Sequence, residues 1–184
     1  MTVLLGSTAH QPRRLPSLSF GNRTKVLIIE REAIRALLLT PQREVLLLRI
    51  RPPEGGDWFW ITPGGGLESG ETIEAGLRRE LLEELGLEQF VIGPLVWLRQ
   101  HTFNWAEKRI CQHERYYIIH VARFEPRMSD ATEAKCLGRF HWWPVTELAR
   151  ARERLTPLTL ARIVVRYLIA GPPRGPLEVE VLVD

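Results

Sequence analysis

Cysteine is scarce in this chain: Cys111 and Cys136 are the only two among 184 residues, and they stand far apart. Two such thiols make neither a disulfide framework nor the paired spacing of a zinc site, and they read as buried free thiols in a reducing cytoplasm. No apolar run approaches the 18 or more residues of a membrane span, and the opening MTVLLGSTAHQPRR has no apolar core of signal-peptide type, so a membrane partner is not expected. A large excess of either charge is also missing. With 25 basic and 22 acidic residues the net charge is +3, which suits an anionic small molecule. It falls short of the clustered basic surface of a dedicated nucleic-acid binder. Internal repeats and low-complexity segments are lacking too, and the length fits one domain with a proper core.

What is present is ordinary globular material, 45% hydrophobic and 26% charged. Residues 1–24, rich in Pro, Arg and Ser, are expected to form a flexible N-terminal arm. The patterned region runs over 25–170. KVLIIE, AIRALLLT and VLLLRIR read as strands, and Pro52-Pro53 with Gly55-Gly56 break the last of them into a loop carrying the aromatic run Trp58-Phe59-Trp60. Further strands are expected at about 91–99 and about 115–124, with a loop or hairpin end over about 102–114. RFHWWPV reads as a short strand in which alternation buries one of Trp142 and Trp143. Helical segments follow at about 146–154 and 157–170. The tail 171–184 ends in the alternating LEVEVLV, an edge strand or a segment seeking a partner, and a homodimer is among the expectations. A mixed sheet with helices on both faces is the natural architecture.

The segment 62–87 carries the chemistry. Thr72 to Leu85 is the clearest helix, with Ser69 and Thr72 as candidate caps, Glu74 in the first turn and Gly86 just past the end. Gly64, Gly65 and Gly66 precede it in a loop whose glycines permit backbone shapes that a Cβ forbids. At 100° per residue Glu80 and Glu84 lie within about 40° of each other, and Glu83 lies about 60° from Glu80. Three carboxylates on one narrow face repel each other unless a cation joins them, and oxygen ligands select hard ions such as Mg²⁺ or Mn²⁺. Ile73, Leu77, Leu81 and Leu85 form the adjacent stripe that docks the helix. Glu71 and Arg79 are eight residues apart and meet only if Glu71 folds back from the loop.

Gly65, Glu71, Arg79, Glu80, Glu83, Glu84 and Gly86, with Leu81 and Leu87, stand at the spacing G-x5-E-x7-R-E-U-x-E-E-x-G-U, where U is apolar. Chance would produce this in roughly one in a million chains of this size. The pattern resembles the signature of the Nudix hydrolases, which cleave a diphosphate linked to another group X. The resemblance covers about residues 25–150. It implies an α/β/α sandwich with a mixed central sheet, and a metal held by Glu80, Glu83 and Glu84 with the backbone carbonyl of Gly64. It also implies that a Glu71–Arg79 salt bridge braces the site. The general base is open: Glu83 or Glu84 within the helix, or Glu133 or Glu114 downstream.

The resemblance implies hydrolysis of a nucleoside diphosphate linked to X, such as a nucleoside triphosphate or a nucleotide sugar. A non-catalytic ligand-sensing module and an RNA 5′-end pyrophosphohydrolase are the alternatives, and nucleic acid is the less expected partner. Family members that cleave ADP-ribose carry a proline about 15 residues past the box, where this chain has Thr102 and Phe103. Members acting on dinucleoside polyphosphates carry a tyrosine slightly further on, where Asn104 and Trp105 stand. Arg49, Arg51 and Arg115 are candidate phosphate contacts, and Trp58, Trp60 and Trp105 are candidate stacking surfaces for a base. The histidines show no metal-ligand spacing.

Overall fold

Branched and leucine side chains alternate or run together in eight segments, and these become the strands of the computed structural model, which describes residues 27–53, 55–105, 107–128, 136–175 and 177–184. In chain order the elements are β1 (Ile28–Leu39), β2 (Glu44–Ile50), β3 (Phe59–Ile61), α1 (Ile73–Leu85), β4 (Leu95–Trp105), β5 (Lys108–His120), β6 (Leu137–Pro144), α2 (Val145–Leu148), β7 (Arg154–Thr156), α3 (Leu160–Ala170) and β8 (Val179–Val183). The strands lie in the order β7-β3-β2-β1-β5-β4-β8, with β6 on the other edge of β2. Pairing is mixed: β1 runs parallel to β5, while β4 and β5 form an antiparallel hairpin.

The sheet splits between β1 and β2, which pair only at Leu39 and Val45. Beyond that point the chain leaving β3 takes over the free edge of β1. Ile34 N–H donates to the Gly65 carbonyl, Ala36 N–H to the Pro63 carbonyl, and Leu67 N–H to the Glu32 carbonyl. A cleft opens between the two halves, and the glycine loop sits at its edge.

Two cores hold this arrangement. On one face Leu77, Leu81 and Leu85 of α1 pack against Ile34, Ala36, Leu38, Leu46 and Ile119. Each fully buried leucine contributes about 1.5–3 kcal/mol, more than enough to dock a helix whose outer face is charged. On the other face α2 and α3 cover Leu37, Val45, Leu47, Tyr116 and Ile118. Alternation in β6 sends Trp142 into the first core and Trp143 against the second. The layers are helix, sheet, helix.

Several boundaries differ from the sequence reading. The described residues of the two expected strands form one, Ile28–Leu39, because Arg31 and Glu32 can sit at its exposed start without a turn. Most of the expected loop over 102–114 is strand, in β4 up to Trp105 and in β5 from Lys108. Its polar residues mislead because they face a cleft. The helix expected at 146–154 is a single turn, after which Arg154–Thr156 joins β3 as β7. The aromatic run is also not a loop: Phe59–Ile61 is β3, pairing with β2. Residues 179–183 of the tail form an edge strand on β4.

Candidate active site

Helix α1 begins at Thr72, whose hydroxyl accepts from the Ala75 amide at 3.2 Å, and ends at Gly86 in the left-handed region at φ 67°. On its cleft-side face Glu80 and Glu84 are buried, at 6% and 8% exposure, and Glu83 is half exposed. Arg79 is the counter-charge. Its Nε and Nη2 each reach a Glu71 carboxylate oxygen at 2.9 Å, Nη1 reaches Glu80 at 2.8 Å and Glu83 at 3.4 Å, and Nη2 reaches the Gly66 carbonyl at 3.0 Å. One guanidinium thus ties loop, helix and acidic face together. Hydrogen bonds from Arg79 and from the Glu68 amide hold the Glu71 carboxyl down at about 2.

The glycine loop meets the acidic face directly. Gly64 N–H donates to Glu84 Oε2 at 2.7 Å, and the Gly64 carbonyl accepts from Arg35. Gly64 lies at φ 114°, and a Cβ there would run into the Ile34 carbonyl; at Gly65 a Cβ would collide with the Glu80 carboxylate. The loop must be glycine because backbone and carboxylate come this close. The donor set, three carboxylates beside a carbonyl, suits a hard divalent cation. Among the described residues these carboxylates are not drawn into a tight three-ligand group, since Arg79 lies against two of them.

Glu84, Gly64 and Gly65 line a cavity of about 400 Å³ in the split of the sheet, a size typical of small-molecule sites. Its far side carries Phe59, Phe103 and Trp105 beside Gln112, and Arg31, Arg35 and Arg154 also face it. The lining also includes members of a buried charge network, Arg35, His101 and Glu114. Glu114, 3% exposed, accepts from Arg35 at 3.0 Å, Arg99 at 3.0 Å, the Tyr116 hydroxyl at 2.7 Å and the Gln112 amide at 2.8 Å. Burial alone would raise its pKa, but the two guanidinium groups outweigh that and hold it below the usual range. Next to it Arg99, which can only donate, lies 2.7 Å from His101 Nδ1. The imidazole therefore carries its proton on Nε2 and donates to Asp184 at 2.9 Å. Burial and Arg99 keep it neutral by lowering its pKa.

Of the residues singled out from sequence, Glu84, Gly64, Glu114 and Trp105 line the cavity, and Glu80 abuts Gly65 in its wall. Five candidates, Trp58 among them, are placed otherwise. Trp60 is 1% exposed and packs edge-on against Trp143 at 5.2 Å, so no ring face is open to a base. Arg49 and Arg51 lie over the Trp58 ring at 4.5 and 5.0 Å, and Arg49 pairs with Glu153 at 2.5 Å. Strand alternation points Leu48 and Ile50 into the cavity and Arg49 away from it. Arg115 faces away from Glu114 and pairs with Glu32. Glu114 itself lines the cavity and accepts from four donors, so it anchors Arg35. Glu133 lies outside the described residues.

The sequence reading missed Arg31, Arg35, Arg99 and Gln112. A usable signal existed for Arg35, which interrupts the apolar run from Ala33 to Leu39, and a charge at such a position is buried against a partner.

The NUDIX domain profile matches residues 29–162. An RNA pyrophosphohydrolase of Yersinia enterocolitica is 28% identical over 164 residues, covering 79% of this chain and 91% of that protein. Among solved structures, a MutT NUDIX hydrolase from Burkholderia pseudomallei is 26% identical, with a TM-score of 0.52 over 74% of this chain and 96% of that one. The NUDIX domain of Shewanella oneidensis NrtR, complexed with ADP ribose, superposes with a TM-score of 0.57 at 19% identity, covering 76% and 88%. This last likeness is one of fold. With the complete box seated at the cleft of that fold, and the profile spanning most of the chain, this protein belongs to the Nudix family.

Proposed function

We propose that the protein is a divalent-metal-dependent pyrophosphohydrolase that cleaves a phosphoanhydride bond in a nucleotide-type substrate bound in the split of its sheet. The observation that carries this reading is the placement of the Glu84 carboxylate and the glycine loop on the wall of an aromatic-sided cavity of about 400 Å³. Glu80 and Glu84 would hold Mg²⁺ or Mn²⁺, with Glu83 beside them. A bound cation neutralises phosphate oxygens and eases ionisation of a nearby water. Glu83, the most exposed of the three carboxylates, would accept the proton that water loses. Arg35 and Arg31 supply positive charge beside the glycine loop, and Glu114 holds Arg35 in position. Phe103 and Trp105 offer faces on which a base can stack. Both cysteines are free, which suits a reducing cytoplasm.

The test is phosphate or pyrophosphate release from a panel of nucleoside triphosphates and nucleotide sugars with Mg²⁺ and with Mn²⁺. Release that stops on adding EDTA is the expected result; nucleotide binding without turnover would support a sensing module instead. A second reading, removal of pyrophosphate from an RNA 5′ end, is favoured by the RNA pyrophosphohydrolases among the relatives. A 5′-triphosphorylated oligonucleotide in the same panel separates the two: faster turnover of the oligonucleotide than of the free nucleotide selects the RNA reading.

A further inference from the structure

Alternation along β5 directs Gln112 and Glu114 into the cavity and sends Cys111 and His113 to the opposite face of the sheet. There they meet β1, because Glu30 is the register partner of Cys111, and Glu32 that of His113. His113 Nε2 lies 2.9 Å from Glu30 Oε2 and 3.9 Å from Cys111 Sγ. One ligand atom from each of the three residues falls within 4.8 Å of the other two. A single imidazole nitrogen therefore faces both a carboxylate and a thiol. One N–H can serve only one of them, whereas a cation at the centre serves all three.

We propose that Glu30, Cys111 and His113 form a second metal site, distinct from the box glutamates and selective for a borderline-soft ion of the Zn²⁺ class, with water in the fourth position. Thiolate, imidazole and carboxylate are the ligands such an ion prefers, where an all-oxygen set suits Mg²⁺. Tetrahedral zinc at usual bond lengths sets nitrogen–oxygen and nitrogen–sulfur edges of about 3.4 and about 3.6 Å. The two distances present need to change by no more than about half an ångström to meet them. Thiolate and carboxylate together balance the two positive charges. Gln100 Nε2 donates to Cys111 Sγ at 3.4 Å and steadies the sulfur as an outer partner does. The Glu32–Arg115 pair beside the site is self-neutralising. The site staples the exposed first half of β1 to β5.

Cobalt(II) reports on the sulfur ligand, because thiolate coordination adds a charge-transfer band in the near ultraviolet that carboxylate binding at the box lacks. Titration of the whole protein, carried in a Glu84→Gln background, is expected to give this band with one equivalent. Zn²⁺ should displace it and raise the melting temperature. Cys136→Ser keeps the band and Cys111→Ser abolishes it. Glu30→Gln, which alters an exposed side chain without touching a core, weakens cobalt binding at least about tenfold, since losing a ligand costs no less than losing an outer partner. A missing thiolate band, a band that survives Cys111→Ser, or unchanged affinity in Glu30→Gln would each overturn the proposal.

Discussion

On one wall of the cavity the interactions are local in the chain: Arg79 reaches Glu71, Glu80 and Glu83, and Glu84 reaches back twenty residues to the Gly64 amide. A second network beside it is assembled from Arg35, Arg99 and Glu114, brought together across as many as 79 residues by strand pairing, and Arg35 ties it to the glycine loop through the Gly64 carbonyl. The first gathers several carboxylates, Glu80 and Glu84 buried among them, around the single guanidinium of Arg79. The second gathers two guanidinium groups around the single buried carboxylate of Glu114. The first arrangement is set by one helix and the loop before it, and the second needs the whole sheet.

The sharpest way to break this contrast is Glu114→Ala. Removing the shared carboxylate leaves two buried guanidinium groups unpaired, and unfolding free energy should fall by about 3–5 kcal/mol in denaturant titration. A loss under about 1 kcal/mol would mean that water already reaches the network. On the box side Glu84→Gln should cut turnover about 10²–10³-fold with circular dichroism unchanged, comparable to deleting one preorganised electrostatic contact. Near-normal turnover would remove Glu84 from the metal assignment. Trp105→Ala should raise KM about tenfold through lost stacking, while Trp58→Ala, whose ring lies under two arginines, stays within about twofold. Equal effects would erase the distinction between cavity and surface tryptophans. Thr72→Ala should cost about 1 kcal/mol through the lost helix cap, read from the denaturation midpoint.

The smallest effect is a pH dependence. Glu71 titrates at about 2 in the folded protein against 4.5 for an ordinary glutamate. A depressed pKa gives stability that is complete above the unfolded value and is lost as pH falls from about 4.5 towards about 2. Melting temperature should therefore drop less steeply through that window in Glu71→Gln than in the wild type. Parallel slopes would show that the Glu71–Arg79 brace does not couple to folding.

The box wall was legible in sequence because helical periodicity converts spacing into a face: Glu80 and Glu84 one turn apart, Leu77, Leu81 and Leu85 beside them, Gly86 at the end. The sandwich followed from the same periodicities. What was not legible depended on register. Polar residues at 101, 112 and 114 look like a loop until β4 and β5 are paired and alternation turns them inward. Trp60 looks like a loop aromatic until three residues of β3 find β2. Arg49 looks like a phosphate ligand until the pleat of β2 turns it towards Trp58. A strand's facing is decided by its neighbours, and a single chain read alone does not display them.

Finally, the loop that carries Gly64 and Gly65 is hydrogen-bonded along β1 as a strand would be, through the amides of Ile34, Ala36 and Leu67. In hydrogen-exchange terms those amides should be protected like the interior of the sheet, although the loop contributes almost no side chains of its own. The glycine loop then has no independent motion to lose when a substrate arrives. Its rigidity is that of β1, and a change that loosens the edge of β1 loosens the floor of the site with it.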